Sequence, residues 1–325
     1  MDLYMPLPIE LVLHVVTGLL PKYPNVILTP SHPITQTLYS FTLVCHETRK
    51  LANRYLRQHC VYLSSRARLQ SFVLAVPTRP DLRNITALFL APFTDEVEHQ
   101  PDVAIMMSEL FGYTCSTLKR LVIDMDLGHF DAVALRGDLQ KVLQEGFEKL
   151  ENLEEFVSIR DDLHIITPQY EGEAFALFWK RWTKLRRLAL CEAEADSEFW
   201  TYVAELPHLG TLILTRANQL GTWNMKAEFF RHTDRPLKVL LVDVEEDQIR
   251  FGNMRRAHWD AVDPDRKMTI MTYTIPRIFE DDSIREVCHG FIRTGAENGT
   301  LWDWTGELIQ HLPKIPAVAS RTNPS

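Results

Sequence analysis

The sequence predicts an α/β architecture in which an N-terminal helical hairpin feeds an irregular strand–helix repeat built on a parallel sheet. Three observations carry this. An alternation of the Leu-x-Leu type recurs seven times after residue 80, at intervals of 33, 35, 32, 24, 28 and 30. Amphipathic stretches of helical spacing lie between the recurrences. Ahead of them stand two aliphatic-rich helical segments separated by four prolines. Strand–helix alternation implies parallel strands covered by helices. A period between about 20 and 50 residues favours a solenoid over a compact doubly wound sheet, which is the alternative.

The first helix is expected from about Ile9 to Leu20, with Pro8 suited to its first turn. At roughly 100° per residue its apolar side chains cover an arc of about 200°, leaving a narrow polar remainder at Glu10, His14, Thr17 and Gly18. A helix packed on one side needs an apolar stripe of only ~100° or a little more. The surplus face must be covered by the rest of the chain or by another protein. Residues 21–37, with Pro21, Pro24, Pro30 and Pro33, read as an extended loop. A second helix follows, with Val44, Cys45, Thr48, Leu51, Ala52, Tyr55, Leu56 and His59 on one face and basic residues on the other. The pattern then switches to Val61 and Leu63 alternating with polar neighbours, which reads as a strand.

These residues carry a resemblance. "LPIELVLHVV" followed by "LYSFTLVCHETRKLA" resembles an F-box, and the ending "RQHCVYLSSRARLQSFV" is similar to F-box proteins of filamentous fungi. Leu7, Pro8, Glu10, Leu11, Val15, Leu19, Leu43, Val44, Cys45, Leu51 and Ala52 fall on the family pattern. The loop between the helices is longer than the family's usual one, and Thr48 stands where the family commonly places Trp. The resemblance spans about residues 5–75. It implies docking on a Skp-type linker protein, and through it on a cullin, as the substrate-recognition adaptor of an SCF-type ubiquitin ligase. The docking residues it implies are Leu7, Pro8, Leu11, Val12, Val15, Leu43, Val44 and Leu51.

In the body, the alternating pairs are Leu88/Leu90, Leu121/Ile123, Phe156/Ser158, Leu188/Leu190, Leu212/Leu214, Leu240/Val242 and Ile270/Thr272, each expected on a half-buried strand. Helices are expected around Val103–Phe111, Leu135–Phe147, Phe175–Trp182, the segment after Asp196 as N-cap, and Ile284–Ile292. "LKRLVI", "LRRLAL" and "LGTLIL" resemble leucine-rich repeats, although the Asn or Cys of the next turn is mostly absent, with Asn218 one position out of register. Trp302 and Trp304 are expected to cap the last repeat. The organisation is thus an F-box-like module over 1–72, a leucine-rich-repeat-like α/β domain over 73–312 and a disordered tail over 313–325.

Composition narrows the chemistry. Residues 1–84 carry nine Lys/Arg against four Asp/Glu, whereas the remainder is acidic and brings the whole chain to a net charge of −8. A basic head suits an acidic partner, and an acidic body argues against nucleic acid. No apolar run reaches the ~18 residues of a membrane span. Five scattered cysteines outside any CxxC pair fit a reducing compartment, cytoplasm or nucleus. GxSxG, GxxxxGK[ST], GxGxxG and HExxH are absent, so no catalytic residue, cofactor or metal is expected. Cys45–His46 and Cys288–His289 are neighbours on helices, where adjacent side chains point about 100° apart and form no dyad. Acidic residues at strand ends, namely Asp124, Asp126, Asp161, Asp162, "CEAEADSE" and "DVEEDQ", offer a remote alternative, a hydrolase. The nearer alternative is a repeat-type interaction module, outside any ligase, whose hairpin is only a cap.

Overall fold

The structure, a computed structural model, describes residues 7–20, 26–92, 101–125, 136–160, 181–244, 258–277, 279 and 281–309. Three helices open the chain: α1 (Ile9–Gly18), α2 (Pro33–Phe41) and α3 (His46–His59). The sequence expectation of an extended loop to residue 37 is therefore corrected at its end. His32 caps α2, its ring Nδ1 accepting from the Ile34 N–H at 3.1 Å, and Pro33 fills the first position, where its missing N–H costs nothing. The expected second helix is likewise split. A turn over Thr42–Val44 ends α2, and α3 begins with a capping box in which the Cys45 N–H donates to Thr48 Oγ1 at 3.0 Å.

The body alternates strand and helix. β1 (Tyr62–Leu63), α4 (Arg66–Ala75), β2 (Ala87–Leu90), α5 (Pro101–Thr114), β3 (Arg120–Ile123), α6 (Arg136–Glu148) and β4 (Glu155–Ser158) come first. β5 (Arg187–Cys191), α7 (Ser197–Glu205), β6 (Thr211–Thr215), α8 (Met225–Phe230), β7 (Leu237–Val244), α9 (Trp259–Val262) and β8 (Met268–Ile275) follow. α10 (Ile284–Glu297) and β9 (Glu307–Leu308) close the described chain. Asp196 begins α7 as expected, accepting from the Phe199 N–H at 2.8 Å, and Asn224, which the sequence analysis did not single out, begins α8 by accepting from the Ala227 N–H at 3.2 Å. None of the described helices is long and apolar enough to cross a membrane.

The nine strands among the described residues form one sheet in chain order, parallel from β1 to β8, with β9 antiparallel on β8. A doubly wound sheet reverses its strand order at a switch point, and this one does not. α4 to α9 all bury their apolar residues against the same face of the sheet. There Leu63, Leu90, Ile123, Phe156, Leu190, Leu214, Leu241 and Ile270 meet Val73, Phe111, Phe147, Trp200, Phe229 and Trp259. Trp182, between Phe147 and Phe156, donates its indole N–H to the Phe147 carbonyl at 2.9 Å. Phe175, Phe178, Trp179 and Leu135 lie outside the described residues.

One repeat was phased wrongly from the sequence. Leu212 pairs with Val239 and Leu214 with Leu241, so Val239/Leu241 face the helices while Leu240/Val242 face the other way. Alternation cannot choose a phase in a run of four aliphatic residues when both faces are buried. Both are buried here, which corrects the half-buried expectation: all four residues of β2 are inaccessible. The second face carries Phe89, Val122, Val157, Ala189, Ile213 and Leu240, and α10 lies on it through Cys288, Ile292 and Ala296.

Trp302 and Trp304 pack on this second face instead of capping an end. Trp304 stacks on Tyr273 with ring centroids 4.6 Å apart, and the Trp302 indole N–H donates to Glu155 at 3.2 Å. Gly295 lets the hook close, since a Cβ there would lie 2.7 Å from the Trp304 ring. The edge of β8 is covered by β9 instead. Ile27 joins the same second-face core, and its N–H donates to the Glu297 carbonyl at 3.0 Å, so the N-terminal helices and α10 are tied together.

His289 of α10 is buried, 2% exposed, and its neutral form is favoured. Burial is the main cause, with Arg160 and Arg285 acting the same way against Glu286 and Asp124. The unfolded chain takes up this proton near pH 6.5, whereas the folded chain resists until lower pH. Stability from this group is therefore complete above about pH 6.5 and declines as pH falls below it. Denaturant unfolding at pH 7.5 and 5.5 should show the wild type losing more stability than His289→Gln. Glu155 and Glu297, whose carboxyls burial raises, act in the opposite direction in both proteins and cancel in the comparison.

Candidate functional site

The N-terminal helices bury little of their own apolar surface. Val16, Leu38 and Ala52 are the fully buried centre where α1, α2 and α3 meet, with Ile34, Phe41, Leu51, Tyr55, Leu56 and Cys60 packed partly against it. Thr17 and Tyr55 hydroxyls, 3.3 Å apart, add one polar tie between α1 and α3. Away from that centre Leu7 is 60% exposed, Leu11 52%, Val15 51%, Leu43 81% and Val44 62%. Soluble proteins scatter single apolar residues over the surface, whereas these five are concentrated in one short module.

The eight residues expected to dock a partner fall into two groups. Leu7, Pro8, Leu11, Val15, Leu43 and Val44 are exposed, whereas Val12 and Leu51 are half-buried, Leu51 within the module's own cluster. The structure adds Ile9 and Tyr39, 38% and 49% exposed. Ile9 was visible in the apolar arc of the first helix. Tyr39 lies just past the expected loop, ahead of the residues assigned to the faces of the second helix, and was not singled out. Thr48 is buried and caps α3, so its side chain serves the local fold. Arg49, Lys50 and Arg54 are exposed on α3 and supply the positive charge of this module.

The acidic strand ends do something different. Asp124, at the end of β3, accepts from Arg160 Nε at 2.8 Å and pairs with Arg293 of α10. Glu192, after β5, pairs with Arg285 of α10 at 3.0 Å and with Arg216 at 3.4 Å. Arg216 also meets Asp243 at 3.6 Å. Glu194 accepts from Asn218 at 2.9 Å and Gln219 at 2.8 Å. The Asn218 side chain also reaches the Glu192 carbonyl at 3.4 Å, linking two successive turns after β5 and β6. Asp126, Asp161, Asp162 and residues 245–248 of "DVEEDQ" lie outside the described residues. Asp124 and Glu192 thus tie the second-face helix α10 to the strand ends, whereas Glu194 and Asp243 tie neighbouring strand-end turns to one another. Among the described residues no group of three or more His, Cys, Asp or Glu could hold a metal ion, and all five cysteines are free thiols.

No protein-family model matches the chain, and no curated protein matches it either.

Proposed function

We propose that this chain is a substrate-recognition adaptor of an SCF-type cullin-RING ubiquitin ligase, its N-terminal helices acting as an F-box on a Skp-type linker and its body as a leucine-rich-repeat-like solenoid. The observation that carries the reading is the exposed apolar face of α1 and the turn after α2, on residues that also fall on the F-box pattern. Covering five half-exposed aliphatic side chains at about 1.5–3 kcal/mol for each full burial would contribute roughly 4–7 kcal/mol to association. A chain that kept this face in water would forgo that energy. The basic residues of α3 suit the acidic character of such linkers in the family the sequence resembles.

Support for the solenoid comes from the chain-ordered parallel sheet, the helices along one face and the Asn218 link between adjacent turns. In such a coil the second face of the sheet is the customary broad surface for partners, but here α10 occupies it. Substrate contact is therefore assigned to the outside of α10 or the strand-end loops. The test is co-expression of the full chain with a Skp-type linker. A one-to-one complex that survives gel filtration is expected, and a full-length protein that elutes alone in the presence of excess linker overturns the reading. In the competing reading, a repeat module with a helical cap, the same apolar face would have to be covered within the chain, and its exposure speaks against that.

A further inference from the structure

The outer side of α10 carries a groove of about 380 Å³, within the range of ligand and peptide pockets, lined by Pro276, Asp282, Glu286, Val287, Gly290 and Phe291. Its walls are mostly apolar, and among the described residues its charged lining groups are the two carboxylates. Among the described residues Asp282 has no ion-pair partner: its carboxylate accepts from the Phe279 N–H at 3.3 Å, while Arg277 donates to its backbone carbonyl. Glu286 shares Arg160 at 3.3 Å yet stays 58% exposed. Beside Asp282 the Phe279 ring is 67% exposed.

Gly290 is the second observation. It sits in the interior of a 14-residue helix, where glycine is less favourable than alanine. Gly295 of the same helix is required by Trp304, but a Cβ on Gly290 meets no described atom within 4 Å. The described residues give no packing reason for a glycine there. Close approach of something from outside to the helix backbone does.

We infer that this groove docks an extended segment of a protein partner carrying an aliphatic or aromatic side chain next to a lysine or arginine. The apolar side chain lies against Val287 and Phe291 over Gly290, and the cation reaches Asp282 and Glu286. Identifying that partner with the ubiquitination substrate rests on the adaptor reading, whereas the binding itself does not.

The experiment selects a displayed library of random seven-residue peptides on the immobilised full-length protein, with Gly290→Trp as the counter-selection. Enriched peptides are expected to pair Lys or Arg with a large apolar residue within two positions. They should lose at least tenfold in affinity for Gly290→Trp and for Asp282→Asn/Glu286→Gln, while Gly290→Ala melts at a higher temperature than the wild type. Linker capture should be unchanged in all these variants, whereas a wild type that enriches such peptides but captures no linker would count against the adaptor reading and leave the groove standing. The inference is overturned if no peptide discriminates the wild type from Gly290→Trp, or if the enriched peptides lack a basic residue. It is also overturned if sedimentation shows a dimer that Gly290→Trp dissociates, because the occupant is then a second copy.

Discussion

Leu11→Asp/Val15→Asp is expected to abolish capture of a Skp-type linker while leaving the melting temperature unchanged. Both side chains are about half exposed on α1, and neither belongs to the cluster that joins the three N-terminal helices. The fold therefore gives up little when they become polar. The complex gives up the burial of two aliphatic groups and must instead desolvate two carboxylates, each costing more than the about 1–3 kcal/mol of a neutral polar group. A combined loss of roughly 3 kcal/mol or more corresponds to at least a hundredfold in affinity, measured by calorimetry or by competition for tagged linker. Two controls sharpen the result. Leu74→Asp places the same charge on an equally apolar, 69% exposed position of α4 and should leave capture intact. Val16→Asp puts it at a fully buried position and should unfold the module. Retained capture by the double variant would sink the docking reading, whatever the fate of the controls.

Much of the body was legible because its signals are local. Asp196 begins α7 by a hydrogen bond to a residue three positions on, and the apolar spacing of α5 and α10 follows from one buried side of each helix. What escaped depended on distant neighbours. The start of α2 is local, yet Pro33 was read as a breaker when its place after a capping His32 makes it a first-turn residue. The phase of β7 is set by Leu212 and Leu214, 27 residues earlier, and four aliphatic residues in a row carry no phase of their own. α10 could be read as a helix from its pattern but not as the cover of the sheet's second face. That placement brings Arg293 to Asp124 and Arg285 to Glu192, partners that meet only in three dimensions. Of the exposed apolar residues, the aliphatic surplus of α1 was legible, whereas Tyr39 stands out only once α2 is seen as a separate helix.

The clamp at Asp124 supplies the largest expected effect on stability. Its side chain is 2% exposed and holds Arg160, 25% exposed, and Arg293, 40% exposed. Truncation to alanine removes the anion that Arg160 and Arg293 share, leaving Arg160 with Glu286 and taking the carboxylate partner from Arg293. Breaking a buried pair by removing one partner costs about 3–5 kcal/mol, and the partial hydration of both arginines brings the expectation here to about 2–4 kcal/mol. The loss should be localised. Amide exchange in residues 284–297 should accelerate more than in β5 to β7, and the emission of Trp302 and Trp304, which share that face with α10, should shift to the red. Asp124→Asn keeps an acceptor for one arginine and should fall between the two, and adding Arg293→Leu to Asp124→Ala should recover part of the loss by removing one orphaned cation. If Asp124→Ala instead unfolds within about 0.5 kcal/mol of the wild type, with exchange in 284–297 unchanged, then α10 is held by its apolar side through Cys288, Ile292 and Ala296 and by the Glu192–Arg285 pair, and Asp124 adds nothing to its seating.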